Sequence, residues 1–475
     1  MISKIITDEQ INKIHKSSVE ILERIGVIVP HEEMINKFIE AGAIVDRKTQ
    51  CVKISEKLIM KSLEQCGKQW TIYGRDLSQK ASFGVGKRNY NSSAGEASWL
   101  DDIGKNRRYA TLNDVQTATR FCDALDNINI VGAMADPHEF PIEWRSIEVA
   151  ATMIKNTNKP ITFWFHNRVA TKYIIEMLIA LRGDVQKATE YPLCYPFFEP
   201  ISPLRFPFNG IDLLFETARI NLPVPIGPMA QMGLSAPGTI AGTLVQENAE
   251  ILAGICITQL IRQGMPVCYG GVCHAFDMSA TQIIFAGPEQ AILGVAMTQM
   301  GKYYGFPVYI NVGLTDSKRL DAQAGLEIAS TLVLVAAAGA DIFGHMGICG
   351  ADQTSSLDIL VLQNEIISYI ESVNREIDFS DEAIGINEIA EVRCGGSFID
   401  RMHTALHFRK ELWFPKLLDR NYYQVWLDNG AKSMEERCRQ RKEEILVTHS
   451  VEPIAKDLEK KLDDIVAHAR QELYE

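Results

Sequence analysis

A chain of 475 residues with 46% hydrophobic and 23% charged positions can bury a large core and has the composition of a soluble globular protein. A formal net charge of −12 argues against nonspecific binding to nucleic acid or to an anionic membrane, since both reward a basic surface. Ten cysteines without a CxxC pair or a dense framework imply reduced thiols. With no signal-like apolar core in MISKIITDEQINKIHKSS and no uninterrupted span of about twenty apolar residues, the expected location is the cytoplasm.

The chain opens on Thr7-Asp8-Glu9-Gln10, which has capping-box spacing, and Ile11, Ile14, Ile21, Leu22 and Ile25 then line one helical face up to Gly26. A second helix over 32–41 ends at Gly42, 43–54 reads as a hairpin, and a third helix covers 56–66. Short strands follow at 70–73 and 88–93, with 96–100 pairing back on the second of them. This front end, residues 1–110, reads as an α+β appendage.

From Thr111 helices and strands alternate regularly. Strands are expected at 128–135, 160–166, 193–200, 223–230, 266–272, 307–313 and 340–347, with helices between them, and the eighth is expected near 391–403. The clearest unit runs from Leu222 to His274. There a glycine-punctuated loop leads to Thr239, which can cap a helix bearing Ile240, Leu244, Ile251, Ile255 and Ile261 at roughly helical spacing, and Gly264 ends it. Continuously apolar strands joined by helices are parallel strands buried on both faces. The fold class is α/β, and eight such units over 111–430 favour a TIM (β/α)8 barrel flanked by the N-terminal appendage and C-terminal helices. Residues 413–426 are aromatic and suited to packing on the barrel, whereas 431–475 is dense in both charge signs and reads as one or two amphipathic helices.

Reacting groups of such a barrel sit at the C-terminal ends of its strands. Those ends carry Phe163, Trp164, Phe165 and His166, then Tyr195, Phe197, Phe198 and Glu199, then Tyr269 and His274, with Asn311, Asp316 and His345 completing the ring. Aromatics gathered at one mouth with few cations suit a quaternary ammonium, which offers no N–H to donate and pairs best with ring faces. The bland alternative is that these rings fill core and rim. Glu199 and Asp316 can attract the cation; with His345 they are the candidate catalytic groups. Arg205, Arg393 or His345 could pair a substrate carboxylate. Glu247 and Glu250 share a helix face, as a polar face or as site carboxylates. Cys268, Cys273, His274, His345 and Cys349 could hold zinc only at loose spacing, and buried cysteine is commonly a small hydrophobe, so no metal is expected. No GxSxG elbow occurs.

Five segments carry a family resemblance: SAPGTIAGTLVQENAEILAG at 235–254, GMPVCYGG at 264–271, TDSKRLDAQAG at 315–325, GADIFGHMG at 339–347 and GGSFIDRMHTALHFRKELWFPKLLDR at 395–420. In these the chain resembles the trimethylamine methyltransferase family of corrinoid-dependent enzymes. The resemblance implies the same barrel fold and methyl transfer from a methylated amine to the Co(I) of a corrinoid. That corrinoid is carried by a partner protein, with no cofactor bound tightly to this chain. Family members acting on trimethylamine carry pyrrolysine, whereas every residue here is standard. The resemblance therefore points to the branch without it, with glycine betaine as first substrate and proline betaine, carnitine and γ-butyrobetaine as alternatives. Two other readings stand beside it: a non-catalytic betaine-binding protein, and a zinc-dependent thiol methyltransferase.

Overall fold

The computed structural model describes residues 3–474. The first helix, Asp8–Arg24, starts at the expected capping box, with the Gln10 amide donating to Thr7 Oγ1 and the Thr7 amide to Gln10 Oε1. The hairpin Ile44–Asp46 with Cys51–Lys53 and the helices Glu32–Glu40 and Glu56–Gln65 stand where the sequence places them.

Parallel strands close into a ring. Val224–Ile226 pairs with Val267–Gly271, which pairs with Val308–Asn311, which pairs with Ile342–Met346. Ile342–Met346 then pairs with Asn89–Ser92, which meets Ile130 through a parallel bridge at Asn91, and Val131–Gly132 pairs with Ile161–Thr162. The extended segment 193–198 completes the circuit. Its Leu193 carbonyl accepts from the Ile161 amide, and the Phe198 amide donates to the Pro225 carbonyl. Eight staves in one parallel circuit, with helices outside, are a TIM barrel.

This corrects the eighth strand. It is Asn89–Ser92, inside the segment expected to be an appendage, and not 391–403, which holds the end of helix Ile386–Val392 and the chain beyond it. The short strand expected at 88–93 is thus a barrel stave: Asn-Tyr-Asn-Ser lacks the aliphatic run that marks its neighbours, so hydrophobic patterning does not assign it to the barrel. Ser98–Leu100 does not pair back on it either; it pairs with Arg108–Tyr109 and Thr354–Ser356.

The front end also seals the barrel's base. Trp70–Tyr73 and Lys80–Phe83 form an antiparallel hairpin whose Trp70, Ile72, Ala81 and Phe83 pack against Ile130, Tyr195, Cys268, Tyr309 and Ile342 from the strands. Asp341, at the start of its strand, accepts from the Gly84 and Val308 amides and pairs with Lys302.

Helix Ile240–Ile261 is capped by Thr239 as expected and is long and apolar enough to cross a membrane, yet it is a core helix. Helices Asp8–Arg24 and Glu56–Gln65 cover its outer side and the barrel its inner side, so it carries no single apolar stripe. Asn248 is fully paired within it: the amide donates to Ser18 Oγ and Tyr304 Oη, and the carbonyl accepts from Tyr269 Oη at 2.7 Å. Tyr269 thus faces this helix and not the barrel mouth. Tyr269→Phe is expected to cost about 1 kcal/mol of stability in chemical denaturation, leaving ligand affinity unchanged.

The acidic and basic tail forms two helices, Met434–Thr448 and Lys456–Tyr474. Lys442 fixes the first by reaching Asp358 at 3.0 Å and Asp102 at 2.9 Å.

Candidate functional site

The C-terminal ends of the strands surround a chamber of about 240 Å³ lined by Trp164, Phe197, Glu96, Glu199, Asn311, His345 and Asp352, with Gly95, Met229 and Val272. It shares Trp164, Phe197, Glu199 and Met229 with an outer cleft of about 520 Å³ that also takes in Phe165, His166, Ser202, Asn209 and Gln231. Chamber and cleft together make a neck-and-vestibule path into the barrel.

The rings form a box. Trp164 and Phe197 meet edge to face with centroids 6.4 Å apart, Trp164 lies 5.8 Å from His345, and Tyr309 stands 5.0 Å from Phe197 and 6.1 Å from His345. Trp164 is held by its indole N–H, which donates to the Gly95 carbonyl at 2.7 Å. Two glycines make room for this arrangement. A Cβ on Gly344 would meet Tyr309 Oη at 1.7 Å, and one on Gly227 would meet Phe197 at 2.6 Å. His345 sits at φ +75°, a left-handed conformation that costs a non-glycine residue energy and is concentrated at functional sites. Burial holds its imidazole down at about 4, so the ring is neutral at physiological pH.

Three carboxyls face the same space. Burial raises Glu199 to about 7. Burial also raises Asp352 and Glu96, and the acids reinforce one another: Glu199 acts on Asp352, and Asp352, Asp136 and Glu199 act on Glu96. Ser93 Oγ donates to Glu96 Oε1 at 3.0 Å and opposes that rise. Asn311 adds a carbonyl oxygen that is buried without a hydrogen-bond partner. Among the described residues, neither chamber nor cleft is lined by lysine or arginine. Negative potential, ring faces and a free carbonyl together suit a cation that cannot hydrogen-bond.

Of the residues expected from sequence, Phe197, Glu199, Asn311 and His345 meet in the chamber, and Phe165 and His166 line the cleft, where His166 Nε2 lies 3.4 Å from Asp136 Oδ1. The others stand elsewhere. Phe163 is buried outside the barrel, stacked on Phe165 at 4.8 Å, and Phe198 is stacked on Phe206 at 5.3 Å beneath the helices. Tyr195 points into the barrel but lies deep, 6.1 Å from Trp70 at the sealed base. His274 is fully buried and stacked on Phe285 at 4.3 Å, and burial drives it down to about 3. Asp316 accepts the Phe285 and Ala286 amides and so fastens a loop. Arg393 lies on the exposed stretch after helix Ile386–Val392 and lines neither chamber nor cleft.

Glu247 and Glu250 are fully buried fasteners behind the site. Glu247 accepts from the Ala230 and Val272 amides, and Glu250 from the Leu204 amide and Ser202 Oγ, so one helix pins the loops that shape the cleft. Among the described residues no group of three or more His, Cys, Asp or Glu could hold a metal ion. Burial also pushes the Cys268 and Cys273 thiols well up and Cys349 to about 12, far from thiolate.

Glu96 and Asp352 complete the site without having been expected in it, and Trp164, read from sequence only as one of the aromatics at the strand ends, lines both chamber and cleft. Glu96 follows the strand that the sequence assigns to the appendage and not to the barrel, whereas Asp352 lies six residues past Met346, within reach of a reading carried just beyond the GHMG segment.

The family described as trimethylamine methyltransferase matches residues 2–474. The trimethylamine methyltransferase of Desulfitobacterium hafniense (strain DSM 10664 / DCB-2) is 31% identical over 98% of this chain and 94% of its own length. The glycine betaine methyltransferase of Desulfitobacterium hafniense (strain Y51) is 26% identical over 99% and 98% respectively. A solved structure, the monomethylamine methyltransferase of Methanosarcina barkeri, aligns with TM-score 0.47 at 10% identity, covering 98% of this chain and 93% of that one. On the family match and the full-length relative, this chain belongs to the trimethylamine methyltransferase family.

Proposed function

We propose that the protein transfers a methyl group from a quaternary amine, glycine betaine first, to the Co(I) of a corrinoid carried by a partner protein. The observation that supports this most is the chamber itself: Trp164, Phe197 and His345 around a space that also faces Glu96, Glu199 and Asp352. In the reaction the methyl carbon bonds to cobalt as its bond to nitrogen breaks, and that electron pair stays on nitrogen, leaving a neutral tertiary amine. Cobalt is the nucleophile, so the chain need supply no covalent catalyst. Its contribution is alignment of the N–CH₃ axis and exclusion of water.

Charge on nitrogen falls along this path. A fully ionised carboxylate against nitrogen would therefore hold the substrate more tightly than the transition state. Acids raised towards neutrality by burial, and ring faces, impose less of that penalty. A betaine carboxylate is unsuited to a chamber already holding three acids, so it points through the neck to Ser202, Asn209, Gln231 and His166 in the cleft. The absence of a lining lysine or arginine among the described residues also favours a second reading, in which the substrate is a quaternary ammonium with no carboxylate.

Incubation with reduced cobalamin and single amines separates these. Glycine betaine is expected to yield methylcobalamin and dimethylglycine at the highest rate among glycine betaine, proline betaine, carnitine, γ-butyrobetaine and tetramethylammonium. A faster reaction with tetramethylammonium would establish the second reading. Binding without methyl transfer from any of the five would make the protein a sensor, and methylcobalamin from none would count against the proposal.

A further inference from the structure

Among the described residues, four side chains line both the chamber and the cleft and so form the neck between them: Trp164, Phe197, Glu199 and Met229. The two rings are held in place. Trp164 is tied through its indole N–H to the Gly95 carbonyl. Phe197 lies against Gly227 and meets Tyr309 with ring centroids 5.0 Å apart. Glu199 contributes the charge of the neck.

Met229 differs from these in kind. Its side chain is unbranched, turns about three bonds, and ends in a thioether that packs without needing a directional partner. The backbone beside it is fixed: the Ala230 amide donates to Glu247 Oε2 at 3.2 Å, and the Ala230 carbonyl accepts from the His274 amide at 3.0 Å. Adjustment at this point is therefore left to the side chain. It is half-buried, and packs at once on the barrel-interior cluster of Tyr195, Val272 and Tyr309 and on a rim cluster of Phe285, Leu314 and Ile348. Val272, the other aliphatic side chain on the chamber wall, is β-branched, 4% exposed and absent from the cleft lining.

A quaternary amine seated in the chamber by its methyl groups must pass its remaining substituent through this neck. In glycine betaine that substituent starts with one unbranched methylene. In proline betaine the nitrogen belongs to a five-membered ring, so two of its four bonds are tied together and present a wider body at the same place.

We propose that Met229 is the specificity-determining residue of the neck: its side chain limits the width of the nitrogen substituent that extends from chamber to cleft, and so favours an unbranched methylene over a ring. The inference rests on the chamber holding the methylammonium head. Bulk at such a point discriminates well, since one methylene in an apolar pocket is worth about 10- to 200-fold. Trp164 and Phe197 narrow the same passage, but their ring faces also hold the head, so their loss weakens every substrate together. Met229 acts on the choice between substrates.

Calorimetry on the full chain with tetramethylammonium and with benzyltrimethylammonium tests this, the first having nothing to pass through the neck and the second a planar ring. Met229→Ala is expected to raise the affinity for benzyltrimethylammonium relative to tetramethylammonium by about tenfold or more, with tetramethylammonium itself changed by less than about threefold. Met229→Leu keeps the bulk and is expected to keep the wild-type ratio. Met229→Val removes less packing than alanine, folds more readily, and is expected to shift the ratio in the same direction by about threefold. An unchanged ratio in the alanine and valine variants, with tetramethylammonium still bound, would overturn the role of Met229 and leave the chamber as the cation site. Wild-type protein that binds neither cation would overturn both.

Discussion

Replacing Trp164 with alanine is expected to weaken tetramethylammonium binding at pH 8 by about thirty-fold, read by calorimetry. The indole is the largest ring of the box, and a desolvated ring–cation contact is worth about 2 kcal/mol, with about 1.4 kcal/mol for each tenfold change in affinity. The loss reaches further than one ring face. The Trp164 indole holds the Gly95 carbonyl, and Gly95 lies between Ser93 and Glu96, so the alanine variant also frees the loop that presents the Glu96 carboxyl. Trp164→Phe keeps a ring face and loses the hydrogen bond, and is expected to recover part of the affinity. Phe198→Ala offers the contrast. That ring is buried against Phe206 outside the barrel, so its removal is read as lost stability with affinity retained in the folded fraction. Unchanged affinity in Trp164→Ala would take the indole out of the site.

The acids give the second large effect, and its sign follows from their raised values. An acid whose value in the folded free protein lies near 7 holds its proton at lower pH, and a bound cation favours the ionised form. Tetramethylammonium affinity is therefore expected to rise with pH from 6 to 8, by up to about tenfold per pH unit below 7 for each proton released, and to level off above. Glu199→Gln removes one such proton and flattens the slope. The same residue acts on stability in the opposite sense. Its folded value lies above its unfolded one, so the native chain binds the proton more tightly and the contribution of Glu199 falls as pH rises through 7. Glu199→Gln is accordingly expected to stabilise the protein by about 1–3 kcal/mol at pH 8, with the gain shrinking towards pH 5. A stability gain joined to a binding loss is the trade found where a site stores unfavourable charge. Denaturant melts at the two pH values measure it, and equal stability of wild type and variant at pH 8 would contradict the assignment.

The barrel was legible because its strands are apolar on both faces, and that same property hid which side chains face inward. In FWFH at 163–166, alternation allows either Phe163 with Phe165 or Trp164 with His166 to point one way, and no polar face breaks the tie. Trp164 faces the chamber, whereas Phe163 packs beneath the helices. The run from Tyr195 to Glu199 shows a second limit. Tyr195, Phe197 and Glu199 all turn inward, but depth along the barrel separates them into floor, wall and neck. The carboxyls of Glu96 and Asp352 come from loops, where spacing carries no periodic signal. The 43–54 hairpin, the capped helix at Thr239 and the tail helices were readable from local chemistry alone. The role of the 70–83 hairpin as a plug depends on contacts with residues far along the chain, and no local pattern reports those.

The proposed reaction requires a methylammonium head in the space bounded by Trp164, Phe197 and His345. A crystal structure of the protein soaked with tetramethylammonium tests it most directly. A cation nitrogen is expected within about 6 Å of the Trp164 and Phe197 ring centroids, facing Glu96, Glu199 and Asp352. Density for the cation in the outer cleft alone, or an ordered chamber left without it at saturating concentration, would contradict it.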